Sequence, residues 1–227
     1  MIIFKDNKFL NVNLFFWFFF LLSSLAFVLW PEIDIYFTSL FYNGEKFPLN
    51  NTLFDNIFYY SVKPLILTLS LLSLALFLYN FFRKKNILNI NTTVILYIFL
   101  FLSVAPGLIV NATLKEHLGR ARPAQTTYFG GDKEFTPAFI LSDQKGYSFS
   151  SGHSAAAFSL IGFALLARKR RKIWLTLSLS YGILVSLARI SVGGHFLSDT
   201  VTSFFIVYIS TYFFYGLVVD NKKRTRD

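Results

Sequence analysis

The sequence of 227 residues contains no cysteine and few charged residues. The lack of cysteine excludes a disulfide framework, a thiolate nucleophile and a cysteine-ligated metal site. Charged residues make up 15% of the chain, against about 25% in soluble proteins, and hydrophobic residues make up 54%. The net charge is +10, but the basic residues cluster between long apolar runs. This distribution favours a membrane protein with oriented loops over a nucleic-acid-binding protein.

Six apolar runs are candidates for membrane-spanning helices, each of which needs about 20 mostly apolar residues. They cover residues 14–30, 64–82, 92–114, 153–167, 173–189 and 198–219. The fourth run is the shortest, and a re-entrant segment is an alternative for it. The sequence therefore predicts an all-α integral membrane bundle of six transmembrane helices, formed by a single domain over residues 1–227.

The short basic segments between these runs predict the orientation of the bundle. They lie at 83–85, 168–172 and 222–226. With six helices, they and both termini fall on one side, which is the cytoplasm by the positive-inside rule. Residues 31–63, 115–152 and 190–197 then lie on the opposite side. Apolar side chains at 54–59 suggest an amphipathic helix in the membrane interface. The first run has no A-x-A-like cleavage site after it, so we expect an uncleaved anchor.

Three residues stand out in the apolar C-terminal part of the chain. Between residues 173 and 219, the acidic, basic and histidine residues are Arg189, His195 and Asp199 alone. Charged groups at membrane depth are unfavourable by roughly 2.5–3.5 kcal/mol each, so they rarely persist without a function. A helix beginning just before His195 would place Asp199 one turn away, where it can orient the imidazole. The alternative is a helix break with a snorkelling arginine and a capping aspartate.

Two further polar clusters lie in and beside the longest polar loop, residues 115–152. Lys115 and Arg122 offer a point charge and a planar fork that suit a phosphate, although a basic loop anchored at the interface is an equal alternative. Ser151, Gly152 and His153 precede the fourth run, where backbone N–H groups favour an anion and the histidine can give a proton to a leaving oxygen. The alternative for this cluster is a capping serine beside an incidental histidine.

Together the three clusters resemble the motifs of the type-2 phosphatidic acid phosphatase superfamily of integral-membrane lipid phosphatases. The first has lysine, six residues and Arg-Pro; the second is Ser-Gly-His; the third has arginine, five residues, histidine, three residues and aspartate. Segments 106–111, 115–120, 130–133 and 193–199 look most like the lipid A 4′-phosphatase branch. Two positions depart from the pattern, since Ser150 replaces a common proline and Ala188 a common serine.

This resemblance implies a role for each motif residue. His195 would attack phosphorus and form a phosphohistidine, Asp199 would orient it, and His153 would protonate the leaving oxygen and then activate water. The phosphate would be bound by Lys115, Arg122, Ser151, Gly152 and Arg189. Two more basic residues, His117 and Arg120, are candidate substrate contacts. No metal or other cofactor is implied, because the charge and proton roles are already filled.

The resemblance also implies a setting and leaves the substrate open. It implies a bacterial inner-membrane enzyme with its active site facing the periplasm, acting on a lipid phosphate, with no nucleic acid and no obligate protein partner. Undecaprenyl diphosphate, phosphatidylglycerol phosphate and phosphatidic acid are alternative substrates. A phosphotransferase using the same histidine and a non-catalytic transporter are alternative functions. Residues 124–147 are a candidate lid over the substrate.

Overall fold

The computed structural model of the chain describes residues 4, 5 and 7–220. Its helices are α1 (Leu14–Leu29), α2 (Glu32–Ser39), α3 (Leu53–Arg83), α4 (Thr92–Lys115), α5 (Gly152–Phe158), α6 (Leu160–Leu166), α7 (Arg171–Ser191) and α8 (Leu197–Asp220). A small antiparallel sheet precedes α1, in the order β1 (Phe4–Lys5), β2 (Lys8–Phe9) and β3 (Val12–Asn13). Single 3₁₀ turns occur at Ile87–Asn89, Pro123–Gln125 and Thr127–Phe129. The predicted helical architecture is confirmed, with the sheet as an unpredicted addition.

Four helices, α3, α4, α7 and α8, are long and apolar enough to cross a membrane. The pair α1 and α2 is bent by 88° at Pro31 and counts as a fifth crossing if the two helices form one span. The apolar segment Gly152–Leu166, made of α5 and α6, is shorter than the other spans. The chain is therefore a multi-pass membrane protein, and its described residues contain four or five spans by length and composition, where the sequence predicted six.

Helix α3 begins at Leu53, eleven residues before the predicted start at Pro64. The Thr52 side chain caps it by accepting a hydrogen bond from the Asp55 backbone N–H at 3.5 Å, and an acidic residue in the first turn suits the helix dipole. Pro64 lies inside the helix, where it removes one backbone donor. The separate interface helix predicted at 54–59 was wrong, since these residues form the first turns of α3.

The core lies where α4, α5, α6 and α8 meet. One buried cluster contains Ala105, Val110, Ala155, Phe158, Ile161 and Val207. A second contains Tyr97, Ile98, Phe101, Leu165 and Tyr215. By contrast, α1 and α3 expose large apolar side chains, such as Phe18 and Leu67, each 59% exposed. Such continuous apolar surface is what a lipid-facing helix requires.

The two ends of the bundle differ in character. At one end lie the C-terminus of α3 and the loop from α6 to α7, which carry the basic segments 83–85 and 168–172. A cavity of about 800 Å³, lined in part by Arg168, Lys169 and Tyr215, opens there, and none of the motif residues lines it. The motif residues gather at the opposite end, where α4 and α7 terminate and α5 and α8 begin.

Candidate active site

The fold brings the three sequence motifs together at one end of the bundle. The Ser151 backbone N–H donates to the Asp199 carbonyl at 3.2 Å, which ties the start of α5 to the first turn of α8. His153 lies near enough to Lys115, Arg189 and His195 to interact with them electrostatically. Residues spread between 115 and 199 therefore form one cluster, as the sequence motifs suggested.

His195 lies in the link between α7 and α8 and is 2% exposed. Its Nδ1 lies 2.8 Å from the Ser148 carbonyl oxygen and 3.5 Å from Asp199 Oδ2. Both neighbours are acceptors, so Nδ1 carries the proton and Nε2 keeps its lone pair. Burial lowers the pKa of His195 below its usual value, although the hydrogen bond and charge of Asp199 act in the opposite direction. The side chain is therefore set up as a neutral imidazole with a free nucleophilic nitrogen.

Helix α8 begins at Leu197, close to the predicted start at residue 198, so the condition that a helix begins before His195 is not met. Asp199 instead reaches the histidine from the first turn of α8, and its Oδ2 also accepts the Phe196 backbone N–H at 2.8 Å. The same oxygen accepts the Ser148 hydroxyl at 2.5 Å. Asp199 is thus a capping residue and a partner of His195 at once, which combines the two alternatives left open by the sequence.

Arg189 is 9% exposed and is fixed by groups from α3 and from the link between α7 and α8. Its Nη1 lies 3.2 Å from Asp55 Oδ1 on α3, and its guanidinium lies 4.9 Å from the centre of the Tyr59 ring. A Cβ on Gly194 would lie only 2.4 Å from Arg189 Nη2, so this position must be glycine for the arginine to keep its place. Within the described part of the chain, Arg189 Nε is buried without a hydrogen-bond partner.

The His153 ring stacks on Tyr59, with ring centres 4.4 Å apart and ring planes inclined by 24°. Its Nε2 is buried and has no hydrogen-bond partner among the residues the structure describes. Tyr59 therefore contacts both His153 and Arg189. Two unpartnered nitrogens, His153 Nε2 and Arg189 Nε, are the donors expected of a site that binds an oxyanion.

Ser151 caps α5, in agreement with the capping serine named as an alternative for this cluster. Its Oγ accepts hydrogen bonds from the Ser154 N–H at 3.3 Å and from the Ser154 hydroxyl at 2.9 Å. Its own proton therefore remains available for donation. Gly152 follows, and a Cβ there would lie 2.7 Å from Asn111 Oδ1 on α4. The glycine thus permits the close approach of α4 and α5 that brings Lys115 near the cluster.

Lys115 and Arg122 are half-buried, and neither side chain makes a hydrogen bond or ion pair with the described residues. Lys115 interacts electrostatically with three cations, Arg122, Arg189 and Lys63, and with one carboxylate, Glu116. Like charges gathered in a partly buried place repel one another, and a bound anion relieves that repulsion. The arrangement accordingly suits a multiply charged anion such as a phosphate.

The two candidate substrate contacts lie in different settings. His117 is exposed, and its Nδ1 lies 2.8 Å from the Thr113 carbonyl. Arg120 is 1% exposed, and all three of its nitrogens are bonded to other residues of the chain. Arg120 therefore uses four of its five N–H groups within the chain, and a contact between Arg120 and the substrate stays a prediction.

Sequence reasoning missed several residues of this site, namely Asp34, Asp55, Tyr59, Lys63 and Ser148. The two aspartates are buried, at 0% and 6% exposed, inside segments that read as polar loop. Ser148 lies directly before the second motif, and that proximity was the one local signal available. The remaining four act on residues far away in sequence, so no local pattern indicates them.

Comparison with known proteins adds an independent finding. A sequence model of the PAP2 superfamily matches residues 96–223. The lipid A 4′-phosphatase of Francisella tularensis subsp. novicida is 33% identical over 205 residues, which cover 88% of this chain and 92% of that protein. The lipid A 4′-phosphatases of Rhizobium leguminosarum and Rhizobium etli are each 40% identical, over 44% and 43% of this chain and 44% and 39% of their own lengths. No solved structure matches the chain significantly.

Proposed function

Because the chain belongs to the PAP2 superfamily and is a membrane lipid phosphatase, we propose that it removes the 4′-phosphate of lipid A through a phosphohistidine intermediate. The observation that carries the proposal is the state of His195. Its Nδ1 proton is held by Ser148 and Asp199, which leaves Nε2 as a nucleophile beside a cluster of cations. The lipid itself is proposed from the relatives, of which one aligns with most of the chain.

In the first step, the lone pair on His195 Nε2 attacks phosphorus, and the bond from phosphorus to the sugar oxygen breaks. His153 donates a proton to that oxygen, so the product leaves as a neutral hydroxyl. In the second step, His153 takes a proton from water, and the resulting hydroxide attacks the phosphohistidine. The bond from phosphorus to Nε2 then breaks, and inorganic phosphate is released. Asp199 and Ser148 keep the Nδ1 proton in place throughout.

The phosphate would be bound by Lys115, Arg122 and Arg189, together with the Ser151 hydroxyl and the Gly152 backbone N–H. Phosphoryl transfer depends mainly on positioning and on neutralising the non-bridging oxygens. Three cations offset the charge of about −2 on a phosphate monoester at neutral pH. These side chains fill every charge and proton role of the proposed reaction, so its steps require no metal ion.

We further propose six membrane passes, with α1 and α2 as the first and the α5–α6 segment as a short fourth. Six passes put both termini and the basic segments 83–85 and 168–172 in the cytoplasm. The active site would then face the periplasm of the inner membrane. The location of the basic segments and the motif residues at opposite ends of the bundle supports this orientation. The proposed partners are the lipid substrate and the surrounding membrane lipids, with no nucleic acid or obligate protein partner.

The test is phosphate release from 4′-phosphorylated lipid A in detergent with EDTA present. Wild type is expected to release phosphate, His195→Ala to release none, and Lys169→Ala, at the basic end, to behave as wild type. Release from undecaprenyl diphosphate or phosphatidylglycerol phosphate but not from lipid A would refute the substrate and keep the mechanism. Activity in His195→Ala equal to that of wild type would refute the mechanism.

A further inference from the structure

Arg120 is the bulkiest side chain that the fold buries completely, and the proposed chemistry does not use it. Its Nη1 donates to Asp199 Oδ1 at 2.6 Å, and its Nη2 donates to Asp34 Oδ2 at 2.8 Å. The remaining bonds run from Nε to the Thr136 carbonyl and from Nη1 to the Ser198 hydroxyl, both at 2.8 Å. A single guanidinium thus joins two buried carboxylates that come from opposite parts of the chain.

Arg120 holds both partners of His195. Its guanidinium bonds to Asp199, whose other oxygen lies beside His195 Nδ1. Its backbone carbonyl accepts the Ser148 N–H at 3.0 Å, and the Ser148 carbonyl is the nearest acceptor of the His195 Nδ1 proton. One residue therefore fixes, from behind, the two acceptors that decide which nitrogen of His195 carries the proton.

Asp34 completes the arrangement from α2. It is 0% exposed, its Oδ1 accepts the Ser198 backbone N–H at 2.8 Å, and its Oδ2 accepts both Arg120 Nη2 and the Ser198 hydroxyl. Asp34 lies outside residues 96–223, the part of the chain that matches the superfamily. The N-terminal segment thus supplies a buried charge that reaches Asp199 through Arg120 and Ser198.

The surroundings give this network little freedom. The Arg120 guanidinium lies 4.3 Å from the centre of the Phe196 ring and 5.4 Å from that of Phe135. A buried charge that loses its partner is strongly unfavourable, so Arg120, Asp34 and Asp199 hold one another in a single geometry. Planar guanidinium groups suit this role because their donors point in fixed directions.

We propose that Arg120 and Asp34 are positioning residues, which fix Asp199 and Ser148 and through them the reactive orientation of His195. This inference rests on the proposed role of His195 as nucleophile. Removing either residue lets the carboxylate of Asp199 turn away from the histidine, so formation of the phosphohistidine slows. Binding of the lipid phosphate is unaffected, because neither side chain reaches the phosphate site.

The experiment is rapid-quench kinetics of the full chain in detergent with lipid A labelled with ³²P at the 4′-phosphate. Gel filtration measures the fraction of correctly folded molecules, and the rate constant for phosphoenzyme formation measures the chemistry of each such molecule. Arg120→Met and Asp34→Asn are expected to lower the rate constant about 10- to 100-fold, the range for residues that orient a reactive group, with KM unchanged. Arg120→Lys is expected to recover part of this loss, since it keeps the charge. Arg171→Lys is the matched control, because Arg171 bonds to Tyr215 at the opposite end.

A purely structural role predicts a smaller folded fraction with an unchanged rate constant, and that result in Arg120→Met and Asp34→Asn would overturn the inference. If those variants do not fold, Ser198→Ala removes only the hydroxyl between Arg120 and Asp34. It is expected to lower the rate constant by about two- to tenfold, and an unchanged rate constant would again overturn the inference. If the phosphohistidine forms at the same rate in wild type and in the variants, this inference alone is refuted. Its absence in wild type refutes the proposed mechanism, and the inference with it.

Discussion

Replacing Tyr59 with alanine removes the ring that contacts both His153 and Arg189. The ring stacks on His153 at 4.4 Å and lies 4.9 Å from the Arg189 guanidinium. A stacked ring pair contributes about 0.5–1.5 kcal/mol, and a cation over an aromatic ring contributes about 0.5–1 kcal/mol where it is partly exposed. Losing both amounts to about 1–2.5 kcal/mol. This corresponds to a decrease of about 5- to 70-fold in kcat/KM.

The assay is phosphate release from 4′-phosphorylated lipid A in detergent, with the folded fraction checked by gel filtration. Tyr59→Phe is the matched variant, because it keeps the ring and loses only the hydroxyl, so it should stay close to wild type. Tyr36→Ala is the control for an exposed tyrosine, whose side chain is 69% exposed. Wild-type kcat/KM in folded Tyr59→Ala, or an equal loss in Tyr59→Phe, would refute the idea that the ring positions the two residues.

Three further predictions follow from the contacts around the cluster. Gly194→Ala places a Cβ 2.4 Å from Arg189 Nη2, so the arginine must move. Loss of the charge-assisted contact between Arg189 and the phosphate should raise KM for the lipid about tenfold or more. An unchanged KM would contradict the close approach of Gly194 and Arg189. Burial lowers the pKa of His195, so its neutral form persists as the pH falls. An NMR titration of labelled histidine should therefore give a His195 midpoint below the ordinary pKa of about 6.5, and a higher midpoint would contradict the effect of burial. Asp55→Asn leaves Arg189 without its carboxylate partner. This change should reduce the free energy of unfolding by about 3 kcal/mol, the lower end for breaking a buried pair, and the protein should melt at a lower temperature in detergent. An unchanged melting temperature would show that the pair adds nothing to stability.

The parts of the fold that the sequence predicted are those set by local chemistry. Long apolar runs predicted the positions of α4, α7 and α8 closely, because a spanning helix needs a continuous apolar segment. Pro31 correctly marked the end of α1, since proline disfavours a helical residue before it. A second proline, Pro64, was expected at the start of a helix, but helix α3 continues through it. The cap at Thr52 begins the helix well before the proline, so the local preference at Pro64 does not set the helix start.

The motif residues were identifiable because their spacing is a property of the chain alone. Their supporting residues were not, since each contact is decided by the packing of distant segments. Arg120 illustrates the difference, because a basic residue beside a phosphate motif suggests a substrate contact. Its actual partners, Asp34 and Asp199, are 86 and 79 residues away in the chain. Asp55 likewise read as a loop acid, and only the early start of α3 brings it to Arg189.

The central claim is that His195 forms a covalent bond to the phosphate of the lipid. The most direct measurement is to react the enzyme with labelled 4′-phosphorylated lipid A, denature it at alkaline pH, where phosphohistidine survives, and locate the phosphate by mass spectrometry. The account predicts phosphate on His195 in wild type and none in His195→Ala. In His153→Ala the amount increases if loss of this base slows hydrolysis of the phosphohistidine more than it slows its formation. Turnover by wild type without phosphate on His195, or phosphate release by His195→Ala, would contradict it.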